Sequence, residues 1–176
     1  MAILNRKHGY LFLAEPHCAT RSIEQVLKNQ DGAVAIDAWV HVSHEDLIKK
    51  KIIKPHEPLY TFSVVRHPAD WIVTRYHHLT GWHSKGFHPF VKYHLENNLW
   101  DRSVFMHAKN TDRVIRYEYL AQQLNEILES RGAPPVSLGR LGQTANKQEW
   151  RSYFDREELE QLPIKLKDFS NYGYKV

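Results

Sequence analysis

The stretch Tyr60-Thr-Phe-Ser-Val-Val-Arg-His-Pro-Ala-Asp-Trp-Ile-Val-Thr-Arg-Tyr76 decides how this chain is read. Its first six residues are β-branched or aromatic apart from one serine, the composition of a buried strand. Pro68 then punctuates the run. Proline is favoured in the first turn of a helix, where its missing N–H would have no helical partner. From Pro68 to about His78 the spacing predicts an amphipathic helix. An earlier stretch, Tyr10-Leu-Phe-Leu-Ala-Glu-Pro-His-Cys-Ala-Thr-Arg-Ser-Ile23, has the same grammar of strand, polar turn with a cation, and helix. A turn that ends on a helix N-terminus aims backbone N–H groups and the positive end of the helix dipole at one spot, where phosphate binds. Two such turns imply a ligand phosphorylated at two places.

Outward from these stretches, strands are expected at residues 10–14, 33–38, 59–65 and 112–117. Helices are expected at 22–29, 44–50, 68–78, 118–131 and 155–167, the last interrupted at Pro163. Ser43 with Asp46 three residues on is a capping-box variant for the second helix, and Gly132 with two prolines stops the fourth. Strands alternating with helices predict an α/β fold: a central parallel sheet of about four strands flanked by helices, in one domain over residues 1–176.

A chain of 176 residues with 42% hydrophobic content is ample for a single core. No apolar run approaches the ~20 residues that cross a bilayer, and the N-terminal residues lack the apolar core of a secretory signal. A lone Cys18 excludes an internal disulfide framework and fits a reducing compartment. A cytoplasmic protein is therefore expected, with no membrane and no nucleic-acid partner. The net charge of +4 fits a solvated surface or an anionic ligand equally well.

The two stretches resemble the phosphosulfate-binding and 3′-phosphate-binding elements of sulfotransferases that use PAPS, 3′-phosphoadenosine 5′-phosphosulfate. The family pattern Pro-Lys-Thr-Ala-Gly-Thr-Ser is matched in frame by Pro16-His17-Cys18-Ala19-Thr20-Arg21-Ser22. Val-Val-Arg-x-Pro is matched by Val64-Val65-Arg66-His67-Pro68, with Thr74 at the family's Ser and Tyr76 at its Tyr. Arg116-Tyr117-Glu118-Tyr119-Leu120, Asn146-Lys147, Tyr153-Phe154-Asp155 and Asp168-Phe-Ser-Asn-Tyr-Gly-Tyr174 follow in the family's order, so the resemblance spans nearly the whole chain. It implies a three-layer, P-loop-like fold. It also implies sulfuryl transfer from PAPS to an acceptor hydroxyl, giving a sulfate ester and PAP, 3′-phosphoadenosine 5′-phosphate. No metal is required by that chemistry.

The resemblance assigns cofactor binding to His17, Cys18, Ala19, Thr20, Arg21, Ser22, Arg66 and Thr74. His17 takes the position of the family's Lys, the cation that steadies the bridging oxygen as sulfate leaves, and so is also a candidate catalytic residue. Arg66 offers its planar fork to the 3′-phosphate, and Thr74 keeps the hydroxyl of the family's Ser. His41, in His41-Val42-Ser43, is the candidate base for the acceptor hydroxyl, with His44 its rival. Plain structural roles stand beside these: Ser22 as a helix cap, Arg21 as a solvated cation, His17 as a loop residue without a role, Cys18 as a small buried group, Arg66 in a strand-end ion pair, and His41 in a capping region. Thr20 replaces the family's Gly, and its Cβ narrows the conformations open to the loop.

Other function classes stay open on the sequence. Loss of the Lys at position 17 suits a PAPS- or PAP-binding protein without chemistry. A P-loop kinase would need Gly-x-x-x-x-Gly-Lys-Ser/Thr, but Glu15, Thr20 and Arg21 hold the two Gly positions and the Lys. His77, His78, His83, His88 and His94 raise a metal site, although their spacing matches no tight zinc pattern. The rings of Trp82, Phe87, Phe90, Tyr93, Trp100 and Phe105 either pack a satellite core or, Trp82 and Phe87 foremost, meet a hydroxyl-bearing small-molecule or carbohydrate acceptor.

Overall fold

The computed structural model describes residues 1–36, 41–97, 104–139, 144 and 146–176. Among them are five strands, β1 Ala2–Asn5, β2 Tyr10–Leu13, β3 Ala33–Ile36, β4 Tyr60–Val65 and β5 Arg113–Arg116. The helices are α1 Thr20–Leu27, α2 His44–Lys49, α3 Pro68–His78, α4 Phe87–Glu96, α5 Leu120–Ser130, α6 Arg156–Lys165 and α7 Asp168–Asn171. The chain divides into two compact units, Met1–Val65 with Phe105–Gly142, and Arg66–Val104 with Gln143–Val176.

The first unit holds all five strands in one sheet of order β3-β1-β2-β4-β5. The four expected strands are all present and all point the same way: β4 is parallel to β2 and to β5, while β2 and β3 are both antiparallel to β1. The expected clean parallel sheet of about four strands is nevertheless wrong, because β1 lies reversed between β3 and β2 and makes the sheet mixed. The reason is local. Only residues 6–9 separate β1 from β2, and so short a link permits only an antiparallel pair. Gly9 supplies the left-handed residue that closes this turn (φ 64°), and Asn5 Oδ1 accepts from His8 N–H at 3.0 Å.

Ala2, Leu4, Leu11 and Leu13 alternate onto one sheet face. There they form a core with Ile36, Val42, Leu47 of α2 and Ile53. The other face carries Tyr10, Phe12 and Phe62, with Phe62 5.9 and 5.4 Å from the first two rings. Both faces are therefore buried along β1, β2 and most of β4, whereas Val34 and Ala35 of the edge strand β3 are exposed. The Ser43–Asp46 capping box forms as the spacing predicts.

In the second unit α3 spans the expected residues, with Pro68 at its start. The aromatic segment contains a helix that periodicity did not predict, α4, which buries Phe90, Val91, His94 and Leu95. α6 runs unbroken through Pro163 rather than being interrupted there. Pro163 is exposed and lies near the helix end. His67 is partly buried: it stacks on Trp150 at 4.2 Å, meets Phe169 and Tyr174 edge-on, and its Nε2 donates to Lys175 O at 2.7 Å. Among the described residues no helix is long and apolar enough to cross a membrane.

Candidate functional site

Residues Asp70, Thr74 and His77 recur at spacings of four and three, so they share one face of α3. Arg66 precedes the helix, and its Nη2 pairs with Asp70 Oδ2. Lys147 arrives from a distant part of the same unit: its Nζ pairs with Asp70 Oδ1 and donates to Thr74 Oγ1 at 3.0 Å. Arg66 and Thr74 are 7% and 5% exposed. Burial, and then the nearby Arg66, push the Lys147 ammonium below its ordinary pKa, while Asp70 acts against that shift. Thr74 has its own O–H directed at Asp70 O, 2.9 Å away.

The loop segment beside Lys147 is pinned. Tyr153 Oη accepts from Gln148 N–H at 3.1 Å and lies 2.9 Å from His77 Nε2. Burial, His83 and Lys147 lower the pKa of His77, so it is neutral at neutral pH and does not add a further charge.

In the first unit, β2 leads through Ala14 and Glu15 into residues 16–19. His17 and Ala19 are both left-handed, with φ 59° and 56°. Ala19 is the N-cap of α1 and offers no capping side chain, the first turn carries no acid, and the first helical bond is Ile23 N–H to Ala19 O at 3.1 Å. The result is a strand–turn–helix whose positive dipole end faces its own loop. Thr20, whose Cβ in place of Gly narrows the conformations open to the loop, is not one of its left-handed residues. The left-handed positions fall at His17 and Ala19, and Thr20 is already helical with Oγ1 donating to Glu15 O at 2.9 Å. Cys18 is buried, Ser22 is buried in the first helical turn, and Arg21 is exposed on α1.

His41 lies half-buried just before α2, with Nδ1 2.6 Å from Ala14 O. Burial is the main reason its pKa is lowered, against the hydrogen bond to Ala14, which raises it. His44 sits instead on the first turn of α2.

Two residues not singled out by the sequence join this region. Glu15 is fully buried, and its carboxylate accepts from the backbone N–H groups of Met106 (3.1 Å), His107 (2.5 Å) and Ala108 (2.7 Å). That grip fixes residues 106–108 against the entry to the loop. His107 is 5% exposed, and its Nε2 is buried without a hydrogen-bond partner. An acid immediately before a proline-led loop was the one available signal.

The five histidines raised for a metal site do not converge. His77, His83 and His94 bond Tyr153, Tyr76 O and Phe90 O respectively. Only His88, with Asp155 and Glu158, contributes to a three-residue group whose ligand-type atoms lie within 4.8 Å, among the described residues. Asp155 and Glu158 there form the capping box of α6. A helix N-terminus repels a cation. Trp82 packs on Phe90, Tyr93 and His94 with Lys85 over its face, and Phe87 meets Tyr76, Tyr153 and Phe154 edge-on. These contacts gather the two rings into one aromatic cluster, in which both remain partly exposed. Trp100 lies outside the described residues.

Compared with protein-family models, curated proteins and solved structures, the chain finds no match.

Proposed function

We propose that this chain is a sulfotransferase that moves the sulfuryl group of PAPS to an acceptor hydroxyl. The observation that carries the reading is the contact of Lys147 with Thr74 and Asp70, on the helix that Arg66 leads into. Arg66-x-Pro and the Asn146-Lys147 loop are linked in the sequence only by the resemblance, yet their cations share one carboxylate. An Arg fork, a Lys ammonium and a hydroxyl make a donor set suited to a phosphate. In this reading Arg66, Thr74 and Lys147 bind the 3′-phosphate.

The acceptor oxygen attacks sulfur in line, and the bond from sulfur to the bridging phosphate oxygen breaks. His41 Nε2 takes the acceptor proton. His17, Arg21, Ser22 and the N–H groups at the start of α1 take up charge on the departing phosphate, with Cys18, Ala19 and Thr20 shaping the turn. The protein's contribution is positioning and electrostatics, as in phosphoryl transfer.

The three-layer, P-loop-like arrangement belongs to the same proposal; the parallel run β2, β4, β5 and the turn from β2 into α1 support it. A cytoplasmic setting belongs to the proposal too, supported by the lone, buried Cys18, which suits a reducing compartment; the absence of membrane and nucleic-acid partners is part of the same reading.

The test is transfer of radiolabelled sulfate from PAPS to a panel of hydroxyl acceptors, with adenosine 5′-phosphosulfate as the donor lacking the 3′-phosphate. Transfer from PAPS and little from the control is expected. Tight PAPS binding with no transfer to any acceptor would favour a binding protein without chemistry, as the missing Lys at position 17 allows.

A further inference from the structure

Every group assigned to the 3′-phosphate already touches Asp70. Arg66 Nη2 holds one carboxylate oxygen and Lys147 Nζ the other, while the Thr74 O–H bonds the Asp70 carbonyl at 2.9 Å. The side chains of Arg66, Lys147 and Asp70 are only 9%, 14% and 17% exposed, so these ions are largely withdrawn from water. Two withdrawn cations need an anion, and removing the partner of such a group is strongly destabilising. A carboxylate that gives one oxygen to Arg66 Nη2 and the other to Lys147 Nζ competes with a phosphate for these donors.

We propose that Asp70 is the resident counter-anion of this site, an internal competitor that a phosphate group must displace from Arg66 and Lys147. The inference rests on reading Arg66, Thr74 and Lys147 as a phosphate site. Asp70 is in the first turn of α3, where the helix dipole favours a carboxylate whether or not the cations hold it. It therefore has a favourable place to remain once displaced. Separating it from two cations lowers the affinity of any incoming anion by the same amount. A free phosphate or sulfate ion has no other contacts to offset that loss, whereas a nucleotide brings a base, a ribose and a second anionic group. Asp70 thus makes the site selective for phosphate carried on a larger ligand, and its return to the cations favours product release.

The test is Asp70→Asn, with inorganic phosphate as the probe and chloride at matched ionic strength as the reference. The wild type should show no specific change in Tm at low millimolar phosphate. Asp70→Asn should melt lower than wild type in chloride and recover in phosphate, with apparent phosphate affinity at least ~10-fold tighter. Adding Arg66→Gln should abolish the recovery. If Asp70→Asn fails to fold in chloride, refolding in phosphate should rescue it, which supports the proposal equally. A variant indifferent to phosphate, or unfolded in both salts, overturns it. Titration of the wild type with PAP and AMP separates the two ideas. Preference for PAP with no phosphate gain in Asp70→Asn defeats the counter-anion alone, and no preference defeats the phosphate site beneath it.

Discussion

His41 Nδ1 lies 2.6 Å from the carbonyl oxygen of Ala14. A carbonyl only accepts, so Nδ1 carries the proton and Nε2 is left with its lone pair, the tautomer a general base needs. Burial lowers the pKa of the ring, which keeps it in the basic form at neutral pH. His41→Ala should lower turnover by roughly 10²–10⁴-fold with PAP affinity nearly unchanged. Equal losses of turnover and PAP affinity would make His41 a structural tie to the loop instead, and unchanged turnover would move the role to His44.

Glu15 holds three backbone N–H groups with one buried carboxylate. Glu15→Gln keeps the shape but removes the charge and turns an amide donor toward donors. The loss should be about 3 kcal/mol, which for a chain of this size lowers Tm by about 6–12 °C in thermal unfolding. A change under about 1 °C would show that the carboxylate is not what orders residues 106–108.

Ala19 and Thr20 should respond in opposite directions to glycine. Ala19 is left-handed, a conformation that costs about 1–2 kcal/mol for a residue with a Cβ. Ala19→Gly relieves that cost against a gain in unfolded-state entropy and should stabilise by about 0.5–1 kcal/mol. Thr20→Gly restores the family residue at a helical position and should destabilise by about 1 kcal/mol, mostly through the lost hydrogen bond from Oγ1 to Glu15 O. Denaturant unfolding measures both, and the reverse ordering would contradict the loop geometry.

Stability should fall on acidification through the histidine range. Burial holds His41, His77, His94 and His107 below the ordinary 6.5 in the folded protein. In the unfolded chain they titrate near that value, so below it the unfolded state binds more protons. The stability they contribute is fully present above about pH 6.5 and is lost as pH falls toward the lower folded values. Tm should be flat from about pH 7 to 8 and drop steadily below about 6.5. A Tm that held or rose between about pH 6.5 and 5.5 would contradict this.

The parts of the fold legible in the sequence are those set by local chemistry. Pro68 and the spacing after it give α3, Ser43 and Asp46 give the cap of α2, and apolar runs give β2 to β5. β1 was not legible because four residues without alternation carry little pattern, and its reversal depends on a turn, not on the strand. α4 was masked by Pro89 and by rings on several sides, although Phe87, Phe90, Val91 and Leu95 do fall at helical spacing. At the site, Arg66, Asp70 and Thr74 are four residues apart and could be read as one face, yet Asp70 looks like an ordinary first-turn acid. Its ion pair with Lys147, and the three N–H groups on Glu15, are long-range contacts that no local spacing encodes.

Calorimetric titration of the wild type and of Arg66→Ala with PAP and with AMP, which differ only in the 3′-phosphate, tests the phosphate site itself. The wild type should bind PAP much more tightly than AMP. Arg66→Ala should remove about 2–3 kcal/mol of that preference while leaving AMP affinity unchanged. Equal wild-type affinities for PAP and AMP would contradict the account.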